Sequence, residues 1–567
     1  MTAFSPDRPF PLGRRATGLA LALLLAAATA APLPFAPAAL AQPAPAQPAA
    51  PAEARPNDPA GTREAPPPES RAAEPARERP DGRPDSRPDH RPERDAKDRR
   101  LPADSVTEHV LEAGRRTLRF TATAGSIPLF EGEGGPLRAE VAYIAFTLPK
   151  PAGADAPPRP VTFLFNGGPG AASAYLNIGA IGPWRLPLDG ATASTPPVLV
   201  PNAETWLDFT DLVFVDPPGT GHSRIVGGDA ARRHFWSVDG DAEALAVMLR
   251  KWIVQNGRQA APKILVGESY GGFRVPKLAR ELATGQGVGV RGLVLVSPVL
   301  DFTLLGQRRH LPQSWVAHLP SMAAAAMERR GAYSPVALAE AERYAATDYL
   351  ADLMRGVRDK EAVDRMAPRV AALTGLDPAL VRRLAGRIDT RTFQRELHRD
   401  RGLIGSAYDA TVTAFDPTPS AAQSHLPDPV LDATKAPLTA AMTGLYRDRL
   451  NWRADEPYRL LNGETSSQWN WGRGRAAPQV VDELRTILAG DRDARILVVH
   501  GATDLVTPYF ASRMILDQLP VYGSADRLRL EVYRGGHMFY SVDDSRRALR
   551  RDAEAFVRAA VKGADRE

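Results

Sequence analysis

Apolar and polar positions follow two rhythms once the chain passes about residue 105. Residues 117–122 and 140–147 alternate, the pattern of strands with one face on a core. Short apolar runs then appear at 161–165, 212–215, 263–266, 292–296 and 495–499, and these suit strands buried on both faces of a sheet. Helical stretches, such as 239–254 and 273–282, lie between several of them. Strands alternating with helices predict an α/β protein with a mostly parallel central sheet covered on both faces. Between about 301 and 490 the strand signal fades and helical stretches take over at 321–329, 335–344 and 368–388. Because strands resume at 495, this segment reads as a helical cap inserted into one sheet, giving a core of 105–300 plus 491–567 and a cap of 301–490.

The first hundred residues have a different character. Arg14 and Arg15 precede an apolar run at 19–31, and Ala39-Leu40-Ala41 offers a small-residue cleavage site, so 1–41 reads as a secretory signal. The run is too short to span a bilayer, which needs about 20 apolar residues, and no later segment qualifies. An exported protein, periplasmic or secreted and without a membrane span, is the expectation. Residues 42–104 are rich in Pro, Ala, Arg and Asp, with few large apolar side chains to offset the entropy of ordering, and they repeat the unit Arg-Pro-Asp near 79–89. This stretch reads as a disordered linker, either a plain spacer or a tether to the cell envelope.

Charge and composition narrow the function. The formal charge of +5 includes +2 from Arg8, Arg14, Arg15 and Asp7, and residues 42–100 balance 12 basic against 12 acidic side chains. The remaining +3 gives no electrostatic footprint for nucleic acid. The chain has no cysteine, which removes disulfides, thiol catalysis and thiolate metal sites. Its ten histidines form no H-E-x-x-H pair, so neither a zinc site nor any other metal or cofactor is expected.

The candidate chemistry lies at strand ends. Gly267-Glu268-Ser269-Tyr270-Gly271 matches G-x-S-x-G between the 263–266 strand and a helix starting near Phe273, which predicts a serine on a tight strand-to-helix turn. A serine hydroxyl needs a base, and the base needs an orienting carboxylate. Asp504 follows the 495–499 strand, and His537 follows a strand at 528–533, so Ser269, Asp504 and His537 occur in the chain order of an α/β-hydrolase triad. His222 and His234 precede the serine, His500 precedes the acid, and Asp491 and Asp493 fall at the other sheet edge. The amide of Tyr270 is one expected oxyanion donor. The glycine-rich turn Asn166-Gly167-Gly168-Pro169-Gly170 after the 161–165 strand should supply the second.

Together, Asn166-Gly167-Gly168-Pro169-Gly170, Asp216-Pro217-Pro218-Gly219-Thr220-Gly221-His222-Ser223, Gly267-Glu268-Ser269-Tyr270-Gly271-Gly272, the Asp504 loop and Gly536-His537-Met538 resemble the serine carboxypeptidase family. The resemblance implies an α/β-hydrolase fold with Ser269, Asp504 and His537 as triad and the amides of Gly168 and Tyr270 as oxyanion hole. It further implies that Asn166 and Glu268 hold the terminal carboxylate of a peptide or protein substrate. Two carboxylates repel, so one must carry a proton, and peptidase activity should favour acidic pH. Two departures touch that recognition: Leu164 stands where the family usually has tryptophan, and Ala180 where it has a glutamate. An esterase or amidase on the same fold, or a catalytically silent binding protein, is the competing reading.

Overall fold

A computed structural model describes residues 101–562, apart from 133, 150–157, 309, 422–423, 425–427, 473 and 475. The expected signal at 1–41 and residues 42–100 of the expected linker lie outside the described residues. Leu101, inside the expected linker, is packed into the body of the described structure. Leu101 is buried, and Asp104 accepts hydrogen bonds from the Tyr143 hydroxyl at 2.9 Å and the Ser126 N–H at 3.2 Å.

The central sheet follows the order β1 (Ser105–Ala113), β2 (Arg116–Phe130), β3 (Leu137–Thr147), β5 (Asp211–Val215), β4 (Val161–Phe165), β6 (Lys263–Glu268), β7 (Gly292–Val296), β8 (Arg495–Gly501) and β9 (Leu528–Tyr533), with the short strand Arg224–Ile225 on β3. Strands β1 to β3 are antiparallel, and from β5 to β9 every neighbour is parallel. Strand β1 carried little sequence signal because Val106 and Val110 point to solvent on this edge.

Alternation within the parallel strands builds two cores, one on each face. Leu164, Leu212, Phe214, Val266, Val294 and Leu497 pack on one side. Phe163, Phe165, Val213, Leu265, Leu295 and Val498 pack on the other, against helices α1 (Val238–Gln255) and α2 (Tyr270–Gly285). Both faces being apolar is why these strands read as unbroken hydrophobic runs.

Between β7 and β8 the chain leaves the sheet. Helix α3 (Pro312–Arg329) centres a third core with the helices that follow it, and Leu505, Tyr509 and Phe510 from the segment after β8 join that core. The helix expected at 368–388 is two helices, Lys360–Thr374 and Pro378–Arg383. The break has a physical cause: Gly375 takes a left-handed conformation at φ 70°, and Asp377 caps the next helix by accepting the Leu380 N–H at 2.8 Å. A two-stranded ribbon, Leu403–Gly405 with Thr413–Phe415, also interrupts the helical segment. Helix α4 (Pro429–Gly444) and helix α5 (Val481–Gly490) return to the main body, where Leu438 and Leu484 pack into its two cores. No described helix is long and apolar enough to cross a membrane.

One buried ion pair joins α1 to α2. Arg274 Nε donates to Asp241 Oδ2 at 2.6 Å with both side chains almost fully buried, and Arg274 Nη1 reaches the Asn166 carbonyl at 2.6 Å. Removing one partner strands the other charge away from water, at a cost of about 3–5 kcal/mol. Asp241→Ala is therefore expected to lower the unfolding free energy by about that amount in urea titration, while the wild type keeps the higher midpoint.

Candidate active site

Strand register alone brings the first two site residues together. Phe165 pairs with Gly267 across β4 and β6, so the next residues, Asn166 and Glu268, leave the sheet side by side. Asn166 Nδ2 donates to Glu268 Oε2 at 2.9 Å, and Asn166 Oδ1 accepts the Leu176 N–H at 3.0 Å, which fixes the orientation of the amide. Both side chains are buried.

Past Glu268 the chain turns sharply. Ser269 sits at φ 61°, ψ −122°, a conformation that costs a non-glycine residue of order 1–3 kcal/mol, and helix α2 starts at the next residue. A side chain at Gly267 would lie 2.0 Å from the Gly271 carbonyl oxygen, so the turn closes only over glycine. The turn after β4 presses onto it: a Cβ on Gly167 would come within 2.5 Å of Tyr270 N and 2.6 Å of Glu268 O. Gly168 and Tyr270 thereby line one cavity of about 370 Å³ with Ser269 and His537, and Tyr270 N lies at the N-terminal end of α2, where the helix dipole favours negative charge.

Asp504 and His537 arrive on loops beyond the paired ends of β8 and β9, where Gly501 faces Tyr533. His537 Nδ1 meets Asp504 Oδ2 at 2.7 Å, and Asp504 Oδ1 accepts the N–H groups of Val506 at 2.8 Å and Thr507 at 3.0 Å. With Nδ1 engaged, Nε2 is the ring nitrogen able to accept a proton. Ser269 and His537 line the same cavity, with no hydrogen bond directly between them among the described residues. Such contacts tighten when a substrate is bound.

His500, His222 and Asp493, weighed above, are occupied elsewhere. His500 is buried with Nε2 2.8 Å from Ser512 Oγ, and burial pushes its pKa down to about 4. His222 is enclosed by Tyr446, Trp452 and Tyr458 and is likewise lowered to about 4 by burial and by Arg224. Asp493 pairs with Arg291 at the far end of the sheet. Leu164 packs in the core and Ala180 in a buried turn, and neither lines the cavity.

Five supporting residues carry no local sequence signal. Ser297, at φ 43°, donates from Oγ to the His537 carbonyl at 2.8 Å, and Thr507 Oγ1 lies 2.9 Å from the Ser297 carbonyl and 2.7 Å from Asp504 Oδ2. From the inserted segment, the Tyr408 carbonyl accepts the His537 N–H at 2.5 Å, and Asp409 Oδ2 accepts the Gly536 N–H at 2.9 Å. Tyr540, three residues after the histidine, places its hydroxyl 2.9 Å from Glu268 Oε2 and 3.1 Å from Oε1.

Residues 150–309, which hold the Asn166 turn and the Ser269 elbow, match the serine carboxypeptidase family model. Over this segment the chain is similar to serine carboxypeptidases. A serine carboxypeptidase-like protein of Arabidopsis thaliana is 28% identical over 153 residues, 26% of this chain and 34% of that protein. A pheromone-processing carboxypeptidase of Pyricularia oryzae is 33% identical over 126 residues, 22% of this chain and 18% of that protein. The chain thus matches about a third or less of the length of these relatives. The crystal structure of a prohormone-processing carboxypeptidase from Saccharomyces cerevisiae aligns over 77% of this chain and 91% of that one, with 15% identity and a TM-score of 0.50, a likeness of the α/β-hydrolase fold.

Two titrating groups line the cavity that holds Ser269. Burial pushes Glu268 up to about 7, partly offset by His537 and by hydrogen bonds from Tyr540 and Asn166. Burial opposes a charged His537, but the charge and hydrogen bond of Asp504 outweigh it and Glu268 adds to them, so His537 titrates above 6.5. The groups are coupled: a proton on Glu268 removes a negative charge that holds one on His537. Gly167→Ala tests the backbone contact, since its methyl group meets only backbone atoms that cannot swing aside. Displacing an oxyanion donor costs roughly 100-fold in kcat. Turnover of a small activated ester should fall by at least about that factor, and the thermal midpoint should fall as well, because buried backbone has to move to admit the methyl group.

Proposed function

We propose that this protein is an exported serine carboxypeptidase that removes residues from the C-terminus of peptides. The observation that carries the reading is the Asn166–Glu268 pair, buried and hydrogen-bonded at the wall of the cavity that holds Ser269 and His537. A neutral carboxyl beside an amide donor is a site for a carboxylate, because Glu268–H and Asn166 Nδ2 can both donate to it.

Ser269 Oγ attacks the carbonyl carbon of the last peptide bond as His537 Nε2 takes its proton. Asp504 stabilises the imidazolium, and the amides of Gly168 and Tyr270 receive the oxyanion. The C–N bond then breaks, His537 returns the proton to the leaving amine, and the C-terminal amino acid departs with its carboxylate still held by Asn166 and Glu268. Water repeats the sequence on the acyl-enzyme. The expected leader supports an extracytoplasmic location, and the Pro-, Arg- and Asp-rich stretch after it would serve as spacer or envelope tether.

Leu164 and Ala180 favour a second reading, an esterase or amidase indifferent to a free carboxylate. A defined peptide and its C-terminal amide, assayed across pH, separate the two. His537 is common to both substrates, so their ratio isolates Glu268. Ionisation of Glu268 removes the donor and adds repulsion, so the preference for the free acid should be full below about 7 and fall roughly tenfold per pH unit above it. Equal rates at every pH would establish the esterase or amidase reading instead.

A further inference from the structure

Glu268 is reached from an unrelated part of the chain by the hydroxyl of Tyr540, whose ring lies against the turn that holds Ala180. Ala180 lies in the buried turn Asn177–Ile181. The Tyr540 ring packs against that turn, close enough that a Cβ on Gly179 would lie 3.3 Å from Tyr540 Cε2. Tyr540 is fully buried, its carbonyl is held by Arg546 Nη1 at 3.0 Å, and its hydroxyl points to Glu268.

From this geometry we infer that Tyr540 is a positioning residue for carboxylate recognition, acting through Glu268. The inference rests on the carboxypeptidase reading above. Its mechanism follows from counting donors. Asn166 Nδ2 and the Tyr540 hydroxyl both lie 2.9 Å from Oε2, while among the described residues Oε1 has only the longer 3.1 Å contact. An oxygen that accepts two hydrogen bonds is the carbonyl oxygen of a neutral carboxyl, so the proton is placed on Oε1. Oε1–H is then the donor presented to the substrate carboxylate, and the glutamate needs no second acid to set its tautomer. Tyr540 also lies three residues from His537, on the short turn Phe539–Ser541, so the base and the carboxylate reader are held by one stretch of backbone.

The same hydrogen bond favours the ionised form of Glu268, and that gives a signature a merely structural tyrosine lacks. Tyr540→Phe removes the hydroxyl and keeps the ring. The expected result is a rise in KM for the free-acid peptide, a roughly tenfold loss of free-acid over amide selectivity at pH 5–6, and a shift of the alkaline limb of that selectivity to higher pH. Fluorinated tyrosine incorporated at position 540 is the complementary variant, because it keeps the shape and donates more strongly. It should move the same limb to lower pH. Wild-type selectivity and an unmoved limb in either variant would overturn the inference, as would a loss equal for acid and amide. If the wild type itself does not distinguish acid from amide, the carboxypeptidase reading has failed, and that outcome is read before any variant is made.

Discussion

Glycine at 167, 267 and 271 lets two turns, one after β4 and one after β6, meet at backbone contact distance. A methyl group on Gly271 would lie 2.5 Å from the Phe165 carbonyl oxygen, and one on Gly167 equally close to Tyr270 N. Strand register puts Asn166 beside Glu268, and this contact lines up Gly168 with Tyr270 and leaves Ser269 on a strained elbow. The strain is supported by the sheet: Ser269 N–H donates to the Val296 carbonyl at 2.9 Å, and its own carbonyl accepts the Gly272 N–H at 2.9 Å. The fold below the site, with its parallel strands and two apolar faces, serves to hold these turns in register.

A second constraint is electrostatic. Glu268 and His537 are both buried, and each stabilises the charged form of the other. The chemistry sketched above needs both neutral, so the useful pH window is set by the coupled pair rather than by either group alone. The inserted segment belongs to this balance as well. The Tyr408 carbonyl accepts the His537 N–H and the Asp409 carboxylate accepts the Gly536 N–H, so the insertion helps to hold the base as well as line the cavity.

The parallel strands were legible in the sequence because burial on both faces leaves unbroken apolar runs. Strand 161–165 and strand 292–296 have the same bounds in the structure. The candidate triad was legible because a serine nucleophile, its acid and its base each follow a recognisable strand end. What could not be read are contacts between segments far apart in the chain with no local pattern: Tyr408 to His537, Ser297 to Thr507, Tyr540 to Glu268. The 368–388 helix was misread for the opposite reason, since the left-handed glycine at 375 outweighs the helical composition on either side.

The central claim is that Ser269 is a nucleophile activated by His537 and Asp504 within this cavity. Labelling of the purified protein with a fluorophosphonate probe, followed by mass spectrometry of the digest, tests it most directly. The account predicts one adduct, on Ser269, formed in the wild type and lost when His537 is replaced by alanine. No adduct on the folded protein, or an adduct on another serine that survives the His537 substitution, would contradict it.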